Sequence, residues 1–503
     1  MGFEDYLERI LRSRVYEVVK ETPLERAPRL SAKLGNALWL KREDLQPVFS
    51  FKIRGAYNKI AHLDPEVRGR GVVAASAGNH AQGVALAAGR FGCQAIIVMP
   101  VSTPRIKHEA VQALGAEVRL WGETFQEAYA QATTIAEERG MSFIHPYDDP
   151  DVIAGQGTIG MEILRQLGHA PDALFVSIGG GGLASGVALY LKRLYPEVRV
   201  VGVEPKDAPS MFEALRVGHP VDLPDVGRFV DGAAVKRVGD ETFRICRELL
   251  DEILLVDNDA VCAAIKDVFE DTRSILEPAG ALSIAGAKAF GAREHLTGKT
   301  WVAIASGANM NFDRLRFVAE RAEIGEEREA QLAVTIPERP GTFLKLCGAI
   351  GGRDVTEFNY RRSDAERAHV FVGITVSNKT ESQTVRDNLR EAGFGVLDLS
   401  ESEIAKNHLK HMVGGRNTGL RHERILSFSF PERPGALRRF LEELSPQFDI
   451  SLFHYRNQGG DVGRVLTGIQ VEPGQEERFE AFLEAVGYPV VDETERPECR
   501  LFL

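Results

Sequence analysis

The sequence is poor in cysteine, has no long hydrophobic run and carries no excess of positive charge. Its five cysteines are far apart and include no CxxC pair, so a disulfide framework and a thiolate zinc site are both disfavoured. No apolar run reaches the roughly 18 residues that would cross a bilayer. The 61 basic and 72 acidic residues give a net charge of −11. That charge disfavours nucleic acids and anionic membrane surfaces as partners.

What remains is the composition of an ordinary globular protein. The 503 residues are 44% hydrophobic and 26% charged, which fits neither a disordered nor a fibrous chain. This length leaves room for roughly three domains. The first residues include Glu4 and Asp5 and resemble no secretory or transit signal. We therefore expect a cytoplasmic protein with reduced cysteines.

Short apolar runs alternate with helical stretches between about residues 70 and 310. The runs GVVAAS, QAIIVMP, ALFVSI, VRVVGVE and WVAIAS are apolar at successive positions and do not alternate with polar residues. This pattern is typical of parallel strands that are buried on both faces and connected through helices. The sequence therefore predicts an α/β fold in this region.

An internal repeat follows a charged, helix-prone stretch that begins near residue 317. The motif PERPG starts at Pro337 and again at Pro431, 94 residues later, and Tyr360 and Tyr455 are 95 residues apart. Each copy is predicted to contain the elements strand, helix, strand, strand, helix and strand, which is the split βαβ plan. Two copies are too few for a solenoid, so we expect a paired module with a ligand or contact role.

The segment SFKIRG places Lys52 between two apolar neighbours, Phe51 and Ile53. Partial desolvation would lower the pKa of this lysine and leave some neutral amine, which a Schiff-base nucleophile needs. An isolated FK dipeptide is more often a surface lysine at the start of a helix. The other motifs of the chain favour the chemical interpretation.

The segment SAGNHAQG joins a predicted strand to a predicted helix. Exposed N–H groups at such a helix start attract an anion such as a carboxylate, although an ordinary capped turn has the same pattern. Asn79 could donate a hydrogen bond to a ring oxygen of a cofactor. The segment SGAN ends another strand, and the hydroxyl of Ser306 there could bond a pyridine nitrogen. The tight turn beginning at Glu277 is either structural or lines the same cleft.

Four glycines at 179–182, followed by Leu183, could surround a phosphate group closely at a helix start. The pattern Gly179-x-Gly181-x-x-Ala184, with Glu204 ending the next strand, also satisfies the dinucleotide fingerprint. Taken alone, it supports an NAD-dependent oxidoreductase about as well as a phosphate site. Its position after several strands disfavours the dinucleotide alternative, because that fingerprint usually opens its domain.

An aldehyde-reactive lysine, a phosphate site, an asparagine and a serine together describe a site for pyridoxal 5'-phosphate. SFKIRGAY, SAGNHAQG, GGGGL, EPAGA and SGAN occur in the order found in fold-type II pyridoxal-phosphate enzymes. With the doubled PERPG module, the chain resembles the biosynthetic threonine dehydratases (threonine ammonia-lyases). The resemblance implies a tryptophan synthase β-like catalytic domain with two parallel-sheet subdomains, followed by two ferredoxin-like α+β, ACT-like domains. The expected boundaries are 1–320 for the catalytic domain, 321–330 for a linker, 331–402 and 424–497 for the ACT-like domains, and 403–423 for their connector.

The resemblance also implies a reaction and roles for individual residues. L-Threonine would be deaminated to 2-oxobutanoate and ammonia, the committed step of isoleucine biosynthesis, and L-serine would be a secondary substrate. Lys52 would be the Schiff-base lysine and the base for the Cα proton. The implied cofactor-binding residues are Phe51, Lys52, Asn79, Gly179, Gly180, Gly181, Gly182, Leu183 and Ser306. The implied substrate-binding residues are Ser76, Ala77, Gly78, Asn79 and His80.

Two departures from related serine racemases narrow the expected activity. Those enzymes carry a second serine where this chain has Ala77, so racemisation should be poor. They also hold a cation through oxygen ligands after the strand that ends near Glu204. Here Ala208 and Ser210 follow and no carboxylate takes the last place, so we expect no metal.

The ACT-like modules imply feedback inhibition by isoleucine, with valine as a counter-effector, and we expect the whole enzyme to be a homotetramer. Gly341 and Gly435, in the two PERPG turns, are effector-site candidates, as are Tyr360 and Tyr455. The turns could equally be rigid entries into a helix. Three alternatives stay open: an NAD-dependent oxidoreductase, a serine dehydratase and a non-catalytic amino-acid sensor.

Overall fold

The computed structural model describes residues 2–326, 328–337, 342–360, 366–412, 422–431, 439–440, 443–444, 448, 450–456 and 462–503. The chain divides into two compact units, Met1–Asn311 and Phe312–Leu503. Within the described ranges, no helix combines the length and the apolar character needed to span a bilayer.

The first unit contains two sheets. Its strands are β1 (Leu24–Arg26), β2 (Ala37–Arg42), β3 (Val72–Ala75), β4 (Ala95–Met99), β5 (Glu117–Leu120), β6 (Ser142–Phe143), β7 (Ala173–Ser177), β8 (Arg199–Pro205), β9 (Glu252–Val256) and β10 (Thr300–Ala305). One sheet has the order β1-β2-β10-β7-β8-β9 and the other β5-β4-β3-β6. Every pair is parallel except β1 with β2. The predicted buried parallel strands are confirmed, since every residue of β3 and β4 is buried.

Helices cover these sheets. They are α1 (Phe3–Leu11), α2 (Pro28–Leu34), α3 (Lys52–Ala61), α4 (Pro65–Gly69), α5 (Asn79–Phe91), α6 (Arg105–Gln112), α7 (Phe125–Arg139), α8 (Pro150–Leu167), α9 (Gly182–Leu194), α10 (Ser210–Val217), α11 (Asp240–Leu249), α12 (Asn258–Thr272) and α13 (Pro278–Glu294). Helix α8 begins where the Asp149 carboxylate accepts the N–H groups of Asp151 and Val152. Glycine lets α3 and α8 pack closely, because a Cβ on Gly155 would lie 2.7 Å from the Arg54 carbonyl oxygen.

The second unit repeats one α+β plan. Its helices are α14 (Arg314–Gly325), α15 (Thr342–Ile350), α16 (Lys379–Glu391), α17 (Glu403–Asn407), α18 (Glu476–Val486) and α19 (Pro497–Phe502). Its strands are β11 (Glu329–Pro337), β12 (Val355–Tyr360), β13 (Arg367–Thr375), β14 (Gly395–Asp398), β15 (Glu423–Pro431), β16 (Ile450–Arg456), β17 (Val462–Gln470) and β18 (Val490–Asp492). The sheets have equivalent orders, β12-β13-β11-β14 and β16-β17-β15-β18, and are antiparallel throughout. The predicted α+β plan is therefore confirmed.

An apolar cluster joins the two sheets of the second unit. Ala333 and Phe371 contribute to it from the first sheet, and Ile425 and Leu466 from the second. Leu409, in the connecting segment, is also part of this cluster and is 2% exposed. The two repeats thus share a core in addition to their own.

Candidate active site

The predicted site segments meet at the carboxyl ends of parallel strands in the first unit. Ser76 follows β3, Gly179 lies just after β7, and Ser306 follows β10. This edge is where open parallel sheets bind ligands. Hydrogen bonds and close contacts between the segments, given below, show that the structure brings them together.

Lys52 is the first residue of α3. The preceding Ser50 forms an isolated antiparallel bridge with Gly307, and the N–H of Phe51 donates to the Ser306 carbonyl at 3.2 Å. The Lys52 ammonium donates to the Pro146 carbonyl at 2.9 Å and lies 5.3 Å from the centroid of the Phe51 ring. Burial lowers the pKa of Lys52 to about 8, against an opposing effect of the Glu277 carboxylate. A usable fraction of neutral amine is therefore present near neutral pH.

Both polar atoms of the Asn79 side chain form hydrogen bonds. Its Nδ2 donates to Glu277 Oε1 at 2.5 Å, and its Oδ1 accepts from Asn309 Nδ2 at 2.7 Å. Asn309 Nδ2 also donates to the Val48 carbonyl at 2.8 Å. These contacts fix the orientation of the Asn79 amide, and one of its two N–H groups remains for a ligand. Asn79 and Glu277 sit at the starts of α5 and α13, so the arrangement joins two helices and the segment after β10.

The Ser76–His80 loop presents backbone donors and no cationic side chain. Ser76 Oγ accepts the N–H of Gly78 at 3.2 Å, Ala77 is half-buried, and α5 begins immediately afterwards at Asn79. The first N–H groups of a helix have no carbonyl partner within it and attract an anion. The His80 imidazole is 3% exposed, and its Nε2 lies 2.8 Å from the Ile144 carbonyl oxygen. Burial, assisted by the Lys52 charge, lowers the pKa of His80 to about 3, so the ring is neutral.

The glycines at 179–182 are needed because other atoms approach them closely. A Cβ on Gly179 would lie 3.0 Å from Ala233 Cα, and a Cβ on Gly180 would overlap the Tyr147 ring. Gly181 has φ +94°, a conformation that L side chains rarely adopt, and α9 begins at Gly182. Leu183, 4% exposed, packs into the core beneath the loop. The loop therefore offers unpaired helix-start amides of the kind that bind phosphate.

Ser306 is buried beside the start of α13. Its Oγ donates to the Ala279 carbonyl at 3.2 Å, and Ser177 Oγ donates to the same carbonyl at 2.9 Å. A Cβ on Gly280 would overlap the Gly307 carbonyl, so glycine is required for this close approach. The result is a neutral hydroxyl, 3% exposed, at the carboxyl end of β10.

These residues fit pyridoxal 5'-phosphate. A desolvated lysine suits its aldehyde, the glycine amides suit its phosphate, and the Asn79 amide and Ser306 hydroxyl are neutral partners for ring atoms. The glycine loop supplies the clearest observation: a Cβ at 180 would overlap the Tyr147 ring, so this helix start is restricted to bare backbone, which close approach to a phosphate requires.

Sequence reasoning missed several contacts of this site. The motif SGAN contains Asn309 without indicating its contact, and the sequence singles out neither the Pro146 carbonyl nor Tyr147. The motif SGAN carried a usable signal for Asn309, since a second amide follows Ser306 by three residues. Pro146 and Tyr147 had no comparable signal, because their role depends on chain packing.

Glu204 has a structural role in this fold. Its two carboxylate oxygens accept the N–H groups of Met211 and Phe212, each at 2.8 Å, at the start of α10. Burial raises the pKa of this carboxyl group to about 8. These two hydrogen bonds explain why Glu204 stands at this position, without a bound ribose or a bound cation. Among the residues that the structure covers, no group of three or more His, Cys, Asp or Glu side chains could hold a metal ion.

The candidate effector residues are only partly described. Gly341 and Gly435 lie outside the described residues, as do the side chains of Tyr360 and Tyr455. The backbones of the two tyrosines occupy equivalent places: Tyr360 pairs with Val370 in the first sheet, and Tyr455 with Val465 in the second.

Comparisons with known proteins agree with this geometry. Residues 15–307 match the family model described as pyridoxal-phosphate dependent enzyme, and residues 320–409 and 414–503 each match the C-terminal regulatory domain of threonine dehydratase. The chain is 56% identical to L-threonine dehydratase biosynthetic IlvA of Burkholderia multivorans, over 100% of both chains. It is 51% identical to the Escherichia coli protein of the same name, over 99% of this chain and 97% of that one.

Solved structures show the same relationship. The processed form of threonine deaminase isoform 2 from Solanum lycopersicum is 52% identical, with a TM-score of 0.63, and the match covers 64% of this chain and 88% of that one. Maize serine racemase is 34% identical, with a TM-score of 0.59, and the match covers 63% and 96%. From its site geometry and its full-length similarity, the chain belongs to the biosynthetic threonine dehydratases, pyridoxal-phosphate-dependent enzymes with a duplicated C-terminal regulatory domain.

Proposed function

We propose that this protein deaminates L-threonine to 2-oxobutanoate and ammonia, the committed step of isoleucine biosynthesis, under feedback control through its second unit. The observation that carries the proposal is the buried Lys52 with its pKa lowered to about 8, within hydrogen-bonding segments that fit the cofactor. The names and full-length similarity of the relatives support threonine as the substrate.

The cofactor, when bound, supplies an aldehyde that links covalently to amines and an electron-withdrawing ring that acidifies the substrate Cα–H. Lys52 would hold the cofactor through that linkage, and its Nζ is the group proposed to accept the Cα proton of the substrate. Its lowered pKa serves both tasks, because both need a neutral amine near neutral pH. The Pro146 carbonyl, 2.9 Å from Nζ, orients the amine.

The remaining site residues are proposed to bind and orient. The amides of 179–182 hold the phosphate, while the start of α5 at residues 76–80 holds the substrate carboxylate through backbone N–H groups. Asn79 donates its remaining N–H to the ring oxygen. Ser306 donates its hydroxyl proton to the Ala279 carbonyl in the structure and would turn it toward the ring nitrogen, which leaves that nitrogen unprotonated. Phe51 and Leu183 provide apolar contacts around this cluster.

Serine is a second, weaker substrate in this proposal. It differs from threonine by one methyl group, and such a contact discriminates by only about 1–3 kcal/mol. Serine turnover at a lower rate would therefore agree with the proposal, while a clear preference for serine would favour the serine dehydratase alternative.

Regulation is proposed to act through the two repeats. The family model for the regulatory domain matches each repeat separately, which supports an effector role for both. Isoleucine is the proposed inhibitor and valine a further effector, with Gly341, Gly435, Tyr360 and Tyr455 as candidate contacts. We keep 1–320, 331–402 and 424–497 as proposed domain boundaries. A cytoplasmic homotetramer completes the proposal and is supported by the family resemblance.

The test measures ammonia and keto acid released from threonine and from serine, with and without isoleucine. We expect faster release from threonine, inhibition by isoleucine, and a visible chromophore that Lys52→Ala removes while the control Lys33→Ala retains it. Turnover surviving Lys52→Ala, or tight nicotinamide binding without a chromophore, would refute the catalytic proposal. Variants of Gly341 or Gly435 that alter turnover but leave inhibition unchanged would refute the effector proposal.

A further inference from the structure

A segment without regular secondary structure lies against the active site between α10 and α11. A Cβ on Gly232 would lie 3.7 Å from Glu277 Oε1 and 4.0 Å from Asn79 Nδ2, and Ala233 is the residue against which Gly179 packs. Gly232 itself is exposed, whereas Ala233 is 2% exposed. Residues 229–235, called here the covering segment, therefore contact the glycine loop at Gly179 and pass close to the Asn79 amide, with Gly232 exposed to solvent.

One ion pair ties this covering segment to the opposite subdomain. Lys107 Nζ lies 2.9 Å from Asp231 Oδ2, and both side chains are partly buried. Lys107 belongs to α6, which follows β4 of the four-stranded sheet, whereas Asp231 lies between β8 and β9 of the six-stranded sheet. The pair thus bridges the two sheets whose carboxyl ends form the site.

Asp231 also accepts a hydrogen bond from the backbone close to Asn79. Its second oxygen, Oδ1, accepts the N–H of Gly232 at 3.0 Å, so one carboxylate holds both the lysine and the peptide that approaches Asn79 and Glu277. The segment is also fixed by Ser210 Oγ, which donates to the Val235 carbonyl, and just beyond it Tyr147, which follows β6 of the four-stranded sheet, donates its OH to the Arg237 carbonyl at 3.0 Å. Unlike the Tyr147 contact, the Lys107 contact lies within residues 229–235 and joins two charged side chains across the two sheets.

We propose that Lys107 and Asp231 are positioning residues that close the active-site cleft by holding the covering segment against the Asn79 and glycine-loop sides of the cofactor site. This inference rests on the proposed function and deepens it by naming what retains substrate and excludes water. A substrate whose carboxylate is held by residues 76–80 would lie beside the covering segment, because that segment passes close to Asn79. Closure over the bound substrate would strengthen the backbone contacts to its carboxylate.

The test is a double-mutant cycle on the holoenzyme with Lys107→Met, Asp231→Asn and the double variant. We expect the KM for threonine to rise roughly fivefold in each single variant, with the double variant no worse than the poorer single one, because the residues act through one contact. Lys299→Met is the matched control, since Lys299 forms a similar pair with Asp172 at 3.2 Å but lies at the amino ends of β10 and β7, away from the site.

A second readout follows the covering segment directly. Hydrogen–deuterium exchange of the amides at 229–235 should be faster in all three cycle variants and unchanged in Lys299→Met. Additive KM effects, or exchange at 229–235 that stays at the wild-type rate in Lys107→Met, would overturn the proposal. A loss of kcat confined to Asp231→Asn would also overturn it, because it would make Asp231 a catalytic residue acting without Lys107.

If the wild-type protein fails to release ammonia from threonine, the proposed function fails, whereas the exchange comparison still decides the role of the ion pair.

Discussion

Replacing Arg54 with methionine should destabilise the first unit strongly, because Arg54 lies at the centre of a buried charge network. Its guanidinium contacts Glu43 Oε1 at 2.7 Å and Glu162 Oε1 at 2.6 Å, and Lys41 Nζ contacts Glu162 Oε2 at 2.6 Å. All four side chains are fully buried. The two positive charges of Arg54 and Lys41 balance the two negative charges of Glu43 and Glu162. The planar guanidinium can make paired hydrogen bonds to both carboxylates.

Arg54→Met leaves two buried carboxylates facing one ammonium group. Removing one partner of a buried pair costs about 3–5 kcal/mol, a large part of the roughly 5–15 kcal/mol that stabilises a typical protein. At about 2 °C per kcal/mol for a domain of this size, the unfolding midpoint should fall by about 6–10 °C. The double variant Arg54→Met/Glu162→Gln keeps one cation and one carboxylate, so its loss should be clearly smaller than the sum of the two single losses.

The effect should depend on pH with a definite sign. Burial raises the pKa of Glu43, but the Arg54 charge and hydrogen bonds more than reverse this, and the pKa in the folded wild type lies below its usual value. Wild type therefore keeps the stabilisation from Glu43 at neutral pH and loses it only on strong acidification. Without Arg54 the pKa of Glu43 rises, so the variant should lose stability as pH increases. The difference between variant and wild type should be smaller at pH 5 than at pH 8.

The assay is thermal unfolding at one fixed scan rate, followed by near-UV circular dichroism and by the cofactor chromophore. Arg12→Met is the matched control, because Arg12 pairs with Glu8 in solvent and such pairs contribute about 0–1 kcal/mol. Additive losses in the double variant, or a midpoint shift no larger than that of Arg12→Met, would refute the reasoning.

Three further predictions concern the cofactor site. With the pKa of Lys52 at about 8, the rate of cofactor attachment to the apo-protein should rise roughly tenfold per pH unit below 8 and then level off, as stopped-flow absorbance would show; a break near pH 10 would contradict the desolvated site. Gly180→Ala should weaken cofactor binding at least about tenfold in a titration, because the new Cβ overlaps Tyr147; Gly69→Ala, which meets no atom within 4 Å, should not. Asn309→Ala should lower kcat by up to roughly 100-fold through misplacement of Asn79, and an unchanged kcat would show that Asn79 needs no such support.

The parallel strands could be predicted from sequence where burial is purely apolar, but not where it depends on distant partners. β3 and β4 consist of small and branched apolar residues, and every position is buried. β2 ends in Lys41 and Arg42, which suggests a surface segment, yet these residues are 0% and 3% exposed. Their charges are accommodated by Glu162 and by Asp44, and the first of these is more than 100 residues away in the chain. Local periodicity contains no information about such a pair.

The candidate site shows the same division between local and distant information. Lys52 could be found because its apolar neighbours are adjacent in sequence and already imply desolvation. The contact between Asn309 and Asn79 joins residues 230 positions apart, and the approach of Gly232 to Asn79 depends on how a long connection crosses the sheet. Motifs therefore located the reactive groups, whereas the residues that orient them required the three-dimensional structure.

The repeat in the second unit extends well beyond the PERPG turn that reveals it. In the first sheet Thr356 Oγ1 donates to Glu329 Oε1 at 2.6 Å beside Gly373, where a Cβ would overlap the threonine oxygen. In the second sheet Ser451 donates to Glu423 beside Gly468, and both edge strands carry an irregularity in register at this point. The paired glycine thus makes room for one hydroxyl–carboxylate contact in each copy.

The two copies nevertheless differ in polarity on the face that joins the sheets. Gln331 pairs with Gly373 in the first sheet, and its counterpart Ile425 pairs with Gly468 in the second. Gln331 is fully buried, and among the described residues neither its Oε1 nor its Nε2 has a hydrogen-bond partner, whereas Ile425 is an ordinary apolar contributor to the shared cluster. Because an unsatisfied buried amide costs about 1–3 kcal/mol and a buried isoleucine is favourable, the same backbone geometry has different energetics in the two copies. Equal spacing of the motifs therefore establishes a duplicated fold, but it does not make the two halves chemically equivalent.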